Sequence, residues 1–157
     1  MFTLIHVVVS VLGIIAGLVI VGGLLGSERL DGWTALFFAT TIATSVTGFG
    51  FPFRGISPAI VVGTISLVVL AVCLMARYWK DLQGPWRAVY VLTAVTALYL
   101  NVFVLVVQLF VKVPALAQLA PTQREAPFLV TQVLLFALFL GLALQALGRF
   151  RPGKMFR

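Results

Sequence analysis

Hydrophobic residues fall along this chain in five long runs, separated by short polar or proline- and glycine-bearing connections. The runs cover 2–25, 33–51, 56–76, 88–111 and 128–147. Each has about the 20 residues that a helix needs to cross the hydrocarbon core of a bilayer. Helices are the expected form, because lipid offers no partner to a free backbone amide or carbonyl. The period-2 alternation of a membrane β-barrel is absent. The pattern predicts an all-α, polytopic membrane protein: one membrane domain, a bundle of five transmembrane helices, ending in a basic tail over 148–157. The first run has no basic segment before it and no A-x-A site after it, so it reads as a retained helix and not a signal peptide.

The connections carry the expected helix boundaries. Gly26 to Gly32 is a polar turn in which Asp31 is placed to cap the second helix. Pro52 and Gly55 break the chain before the third helix, and Ser57-Pro58 has the form of an N-cap followed by a first-turn proline. Arg77 to Arg87 forms a charged, aromatic connection. The longest connection runs from Pro114 to Pro127, where Thr122 and Glu125 have capping-box spacing. Within it, Ala115 to Ala120 fits either a one- to two-turn interfacial helix or a crossing loop, the loop being the simpler reading.

Composition agrees with this pattern. Of 157 residues, 62% are hydrophobic and 10% charged, with a mean hydropathy of +1.16. A soluble domain carries about 25% charged residues, so a cytosolic enzyme, a disordered tail and a secreted disulfide scaffold are excluded together. The net charge of +7 is scattered between apolar runs and forms no stripe for nucleic acid. It orients the chain instead. With the N-terminus outside, eight basic residues (Arg29, Arg77, Lys80, Arg87, Arg149, Arg151, Lys154 and Arg157) fall on the cytoplasmic side, against Arg54, Lys112 and Arg124 outside. Trp33, Tyr78, Trp79, Trp86 and Tyr90 then form an aromatic belt at the cytoplasmic interface. The tail residues Arg149, Arg151, Lys154 and Arg157 suit anionic lipid headgroups.

In this orientation the intramembrane polar residues gather toward the outer side. His6 and Ser10 lie in the outer half of the first helix, Thr44, Ser45 and Thr47 in that of the second. Asn101 lies near the middle of the fourth, Gln108 near its outer end, and Gln132 near the outer end of the fifth. Helical spacing puts His6, Ser10, Gly13 and Gly17 on one face, and Thr40, Thr44 and Thr47 on another. Ala94, Ala97, Asn101, Val104 and Gln108 share a third. Gly13 and Gly17 have the G-x-x-x-G spacing that lets membrane helices approach closely. Buried hydroxyls are also ordinary glue between membrane helices, and packing alone is the simpler account of most of them. His6, Asn101, Gln108 and Gln132 are costlier to bury and point more strongly to a ligand.

Candidate chemistry is sparse. One histidine cannot supply both axial ligands of a haem or a multi-histidine metal site, and the lone Cys73 can form no internal disulfide. No acidic residue lies within a span, and no Walker, HExxH or GxSxG motif occurs. Neither catalysis nor a metal centre is expected, and the sequence names no cofactor.

Five helices in this length resemble, in architecture, the tryptophan-rich sensory (translocator) proteins that bind porphyrins. The chain has Ser27 to Trp33 where that family carries its tryptophan- and proline-rich first loop. Leu4-Ile5-His6, Gly13, Gly17 and the run Thr44 to Gly48 are similar to elements of bacterial multi-pass membrane proteins with a histidine opening the first helix. That similarity covers the first third of the chain and implies residence in a bacterial inner membrane.

The function these residues point to is binding of a small amphipathic molecule (lipid, quinone or tetrapyrrole-like) in an outer-half pocket. Its polar groups would be His6, Ser10, Thr44, Thr47, Asn101, Gln108 and Gln132. Two alternatives remain: a non-catalytic accessory or assembly subunit of a larger membrane complex, and an oligomeric pore for neutral solutes. Membrane lipids, a homo-oligomer or a larger complex are the expected partners.

Overall fold

A computed structural model of the chain describes residues 1–51 and 58–151. The expected Pro52–Gly55 break, the Ser57 cap, and the headgroup residues Lys154 and Arg157 lie outside the described residues. The described residues form helices and no strand: α1 (Phe2–Gly26), α2 (Asp31–Gly48), α3 (Pro58–Leu74, continued by a π-helical turn over Met75–Trp79), α4 (Trp86–Lys112), α5 (Pro114–Leu119) and α6 (Ala126–Arg149). Four of them are long and apolar enough to cross a membrane, over Phe2–Gly26, Ile60–Trp79, Trp86–Lys112 and Ala126–Arg149, which fits a polytopic membrane protein. The shorter α2 holds Asp31 and many hydroxyls, which lower its hydropathy.

Neighbouring helices are antiparallel, and α1 packs most extensively on α2. The two small residues anticipated on α1 explain the closeness. A Cβ on Gly13 would stand 3.1 Å from Thr40 Oγ1 of α2, and one on Gly17 would stand 2.5 Å from Leu98 Cδ1 of α4. In lipid, where water drives no helix association, such close backbone approach supplies the dispersion that holds helices together.

Packing is uneven along the bundle. The main core gathers Leu24, Phe37, Leu70, Cys73, Val91 and Leu98 around the half that contains the α1–α2 and α3–α4 connections. That end is also stitched by polar contacts. Arg29 pairs with Asp81 at 3.3 Å, Arg87 Nη1 donates to the Leu147 carbonyl at 3.0 Å, and the Arg151 amide donates to Ser27 Oγ at 2.8 Å. Phe150 is fully buried there, 6.0 Å from the Tyr90 ring, so the tail begins as part of the core. At the opposite end the described residues form a smaller cluster of Phe110, Ala120 and Phe128, where α5 folds over α4.

Several local expectations shift. Asp31 is the first residue inside α2, not its cap, and forms an ion pair with Arg77. Arg77 belongs to no connection: it is 2% exposed in the π-helical turn, with its guanidinium 5.2 Å from the Tyr90 ring. Tyr90 is correspondingly core and leaves the aromatic belt, whereas Trp33, Tyr78 and Trp79 are exposed. The Ala115–Ala120 segment contains a helix, α5, instead of a plain loop.

The capping box is displaced too, because α6 starts only after Glu125. The Glu125 carboxylate instead gathers the loop: it accepts from the Thr122 hydroxyl at 2.8 Å and from the Thr122 and Arg124 amides. The Thr122 hydroxyl, foremost, holds the Glu125 carboxyl below its ordinary value, with the two amides adding to it. A carboxyl depressed in the folded chain stabilises the turn above the ordinary carboxylate range and loses that effect as pH falls through its lowered value. Glu125→Gln is therefore expected to speed hydrogen exchange at the Thr122 and Arg124 amides at neutral pH. The difference from the wild type should vanish in acid, which exchange measured at matched pH checks.

Candidate functional site

The loosely packed end opens as a cleft of about 540 Å³ between the first halves of α1 and α3 and the last halves of α2 and α4. Val7, Val11 and Ile14 form one apolar wall, and Leu100, Val104 and Leu105 another. Of the anticipated residues, His6, Ser10, Thr44, Asn101 and Gln108 line this space.

The polar faces of α1 and α2 meet rung by rung. His6 Nδ1 lies 2.8 Å from Thr47 Oγ1, the Ser10 and Thr44 hydroxyls meet at 3.3 Å, and Gly13 faces Thr40 and Thr41. Thr47 has one hydroxyl proton, and its oxygen lies 2.6 Å from the Ala43 carbonyl, so that proton is committed to the backbone. His6 Nδ1 must then donate to Thr47, which leaves Nε2 as an acceptor in the neutral ring. Thr47 does not line the cleft but fixes the histidine that does. The His6 ring is also held edge-on by Phe51 at 5.1 Å, and Phe51 by Phe2 at 5.1 Å, so aromatic rings frame the entrance.

On the facing side, Asn101 Nδ2 donates to Thr41 Oγ1 at 3.2 Å, tying α4 to α2. Gln108 is exposed to the cleft and makes no hydrogen bond among the described residues, and Lys112 stands at the rim. Gln132 is elsewhere: its Nε2 lies 3.5 Å from the Phe103 carbonyl, and its Oε1 is buried between α6 and α4 without a partner. Equal depth did not mean equal direction. Arg149 and Arg151 are exposed at the opposite end of the bundle.

Two buried serines also line the cleft, Ser45 and Ser66, 8% and 4% exposed: the sequence places Ser45 in the outer half of the second helix but not among the ligand-binding groups, and does not single out Ser66. Small hydroxyls in apolar helices are read as packing because they usually donate to the carbonyl four residues back. Ser10, Thr34, Thr40, Thr47, Thr64, Thr93 and Thr131 do so here. No group of three or more His, Cys, Asp or Glu able to hold a metal occurs among the described residues. Compared with known protein families, characterised proteins and solved structures, the chain matches none.

Proposed function

We propose that this chain is a multi-pass inner-membrane protein that binds a small amphipathic molecule in the cleft, in the outer half of its bundle. The observation carrying this reading is the coincidence of open space with polar groups from three separate helices, His6 and Ser10, Thr44, and Asn101 and Gln108, walled by aliphatic side chains. A few convergent polar groups in a mostly apolar recess are what small-molecule sites require. In this proposal α2 is a fifth crossing, since it runs antiparallel beside α1 with paired rungs from Gly13 to His6. The basic-residue asymmetry supports the cleft end as the outer one, and it survives setting aside the buried Arg77, at seven against three. A lipid, a quinone and a tetrapyrrole-like compound all have the required character.

Solvent extraction of the purified protein, followed by mass spectrometry of small molecules, tests the proposal. The wild type should yield a stoichiometric amphiphile that is lost from Val104→Trp, whose indole would fill the cleft. It should fall about tenfold in a His6→Ala, Asn101→Ala double variant, as loss of two hydrogen-bonding groups implies. Gln132→Ala should retain it. The same extract from wild type and Val104→Trp refutes the proposal. Stoichiometric partner chains without a small molecule would favour an accessory subunit, and solute flux in liposomes a pore.

A further inference from the structure

Six polar or charged side chains are buried among the described residues: Thr34, Thr40, Thr41, Ser45, Ser66 and Arg77. Four have partners in the protein: Thr34 and Thr40 donate to backbone carbonyls, Thr41 accepts from Asn101, and Arg77 pairs with Asp31. Ser45 and Ser66 have no hydrogen bond among the described residues, and both line the cleft. Neither hydroxyl is sealed from solvent-sized space, unlike the orphaned Gln132 Oε1. Their free valence therefore opens into the cleft.

The helix register sets the two hydroxyls level with each other. The ring of Phe49, the residue after α2, packs on Gly63 of α3, 3.2 Å from where a Cβ would stand. Ser45 lies four residues deeper along α2 than Phe49, and Ser66 three residues deeper along antiparallel α3 than Gly63, one turn in each case. Asn101, the innermost polar residue of the α4 wall, is 11 residues from the rim at Lys112, roughly 16 Å along the helix axis. The cleft thus has a floor of hydrogen-bonding groups and, among the described residues, one charged group, Lys112, at its opposite level.

This geometry decides what sits at the floor. Among the described residues a charged head there would have no counter-ion within reach, and an unpaired charge in a low-dielectric interior costs several kcal/mol. An uncharged acceptor meets no such penalty and satisfies both serine donors. Resting on the ligand-binding reading above, we propose that the ligand enters head-down. An uncharged carbonyl-type oxygen accepts from Ser45 and Ser66 at the floor, while its apolar part runs between α1 and α4 toward the rim.

Methyl dodecanoate and dodecanoate, which share a chain and a carbonyl but differ in charge, provide the test. Binding of each radiolabelled compound to the detergent-solubilised full chain is measured at pH 8. The neutral ester should bind more tightly, and a Ser45→Ala, Ser66→Ala double variant should weaken it about tenfold, the loss of two modest hydrogen bonds. Because these hydroxyls bond nothing among the described residues, the double variant should unfold no earlier than wild type, read by thiol labelling of buried Cys73. Lys112→Gln should change ester binding little. The inference is overturned if the serine variant binds the ester normally, or if dodecanoate binds more tightly and Lys112→Gln removes its advantage. Either result leaves the cleft itself as a binding site. If neither compound binds while Val104→Trp still loses its copurified amphiphile, the head-down inference alone fails; if its extract is also unchanged, both fail.

Discussion

Asp31→Asn is expected to destabilise the bundle by about 2–4 kcal/mol, whereas Arg77→Met should cost far less. The asymmetry follows from the two environments. The Arg77 side chain is 1% exposed and that of Asp31 is 67% exposed. Replacing the carboxylate by a neutral amide strands a buried guanidinium without a counter-charge among the described residues, with the Tyr90 ring against it. Removing the guanidinium leaves a carboxylate that water already reaches, and methionine can fill much of the vacated volume. The Asp31→Asn figure lies toward the lower end for broken buried pairs because water also screens this one from the Asp31 side. The lone cysteine supplies the assay: Cys73 is fully buried beside Tyr90, so a thiol-reactive dye reports opening of this end directly. Equal losses from the two substitutions would show that the pair does not act through the burial of Arg77.

Gly17→Leu should be comparably damaging, about 1–3 kcal/mol, through overpacking. A Cβ at position 17 already stands 2.5 Å from Leu98 Cδ1 and 2.9 Å from Phe37 Cε2, and both of those side chains are buried. Gly17→Ala adds one carbon and asks the end of Leu98 and the edge of the Phe37 ring to give, so it should cost less than leucine. Gly22, whose added Cβ meets nothing within 4 Å, serves as the matched control in the same helix. The same Cys73 labelling ranks the three variants, and Gly22→Leu should match wild type.

Much of the cleft was legible because polar residues are rare in apolar helices, and each one marks a face. Spacing put His6, Ser10 and Gly13 on one face of α1 and Thr40, Thr44 and Thr47 on one face of α2, and the structure brings these two faces together. Gln132 shows the limit of that reasoning. Its depth was readable, but α6 carries large apolar residues nearly all round, including Leu129, Val130, Leu134 and Leu138 exposed on its surface, so nothing marked its direction. The depth of Ser45 was readable but its hydroxyl read as packing, and Ser66 was not marked, since whether a hydroxyl bonds its own helix depends on rotamer and neighbours and leaves no trace in composition. Arg77 was read as a topology determinant because it directly follows an apolar run. Its partner Asp31 is 46 residues away, and a π-helical turn places it inside the bundle. Boundaries moved by a few residues where caps competed, as at Asp31 and Glu125.

The central claim is that the cleft among α1, α2, α3 and α4 holds an amphiphile. Photo-crosslinking the membrane-embedded chain with a diazirine-bearing alkyl ester, followed by peptide mapping, tests it most directly. Adducts should concentrate on the cleft-facing segments around Val7–Ile14 and Leu100–Leu109, be competed by excess unlabelled ester, and disappear in Val104→Trp. Adducts spread over the lipid-facing side of α6, neither competed by unlabelled ester nor changed by Val104→Trp, would contradict it.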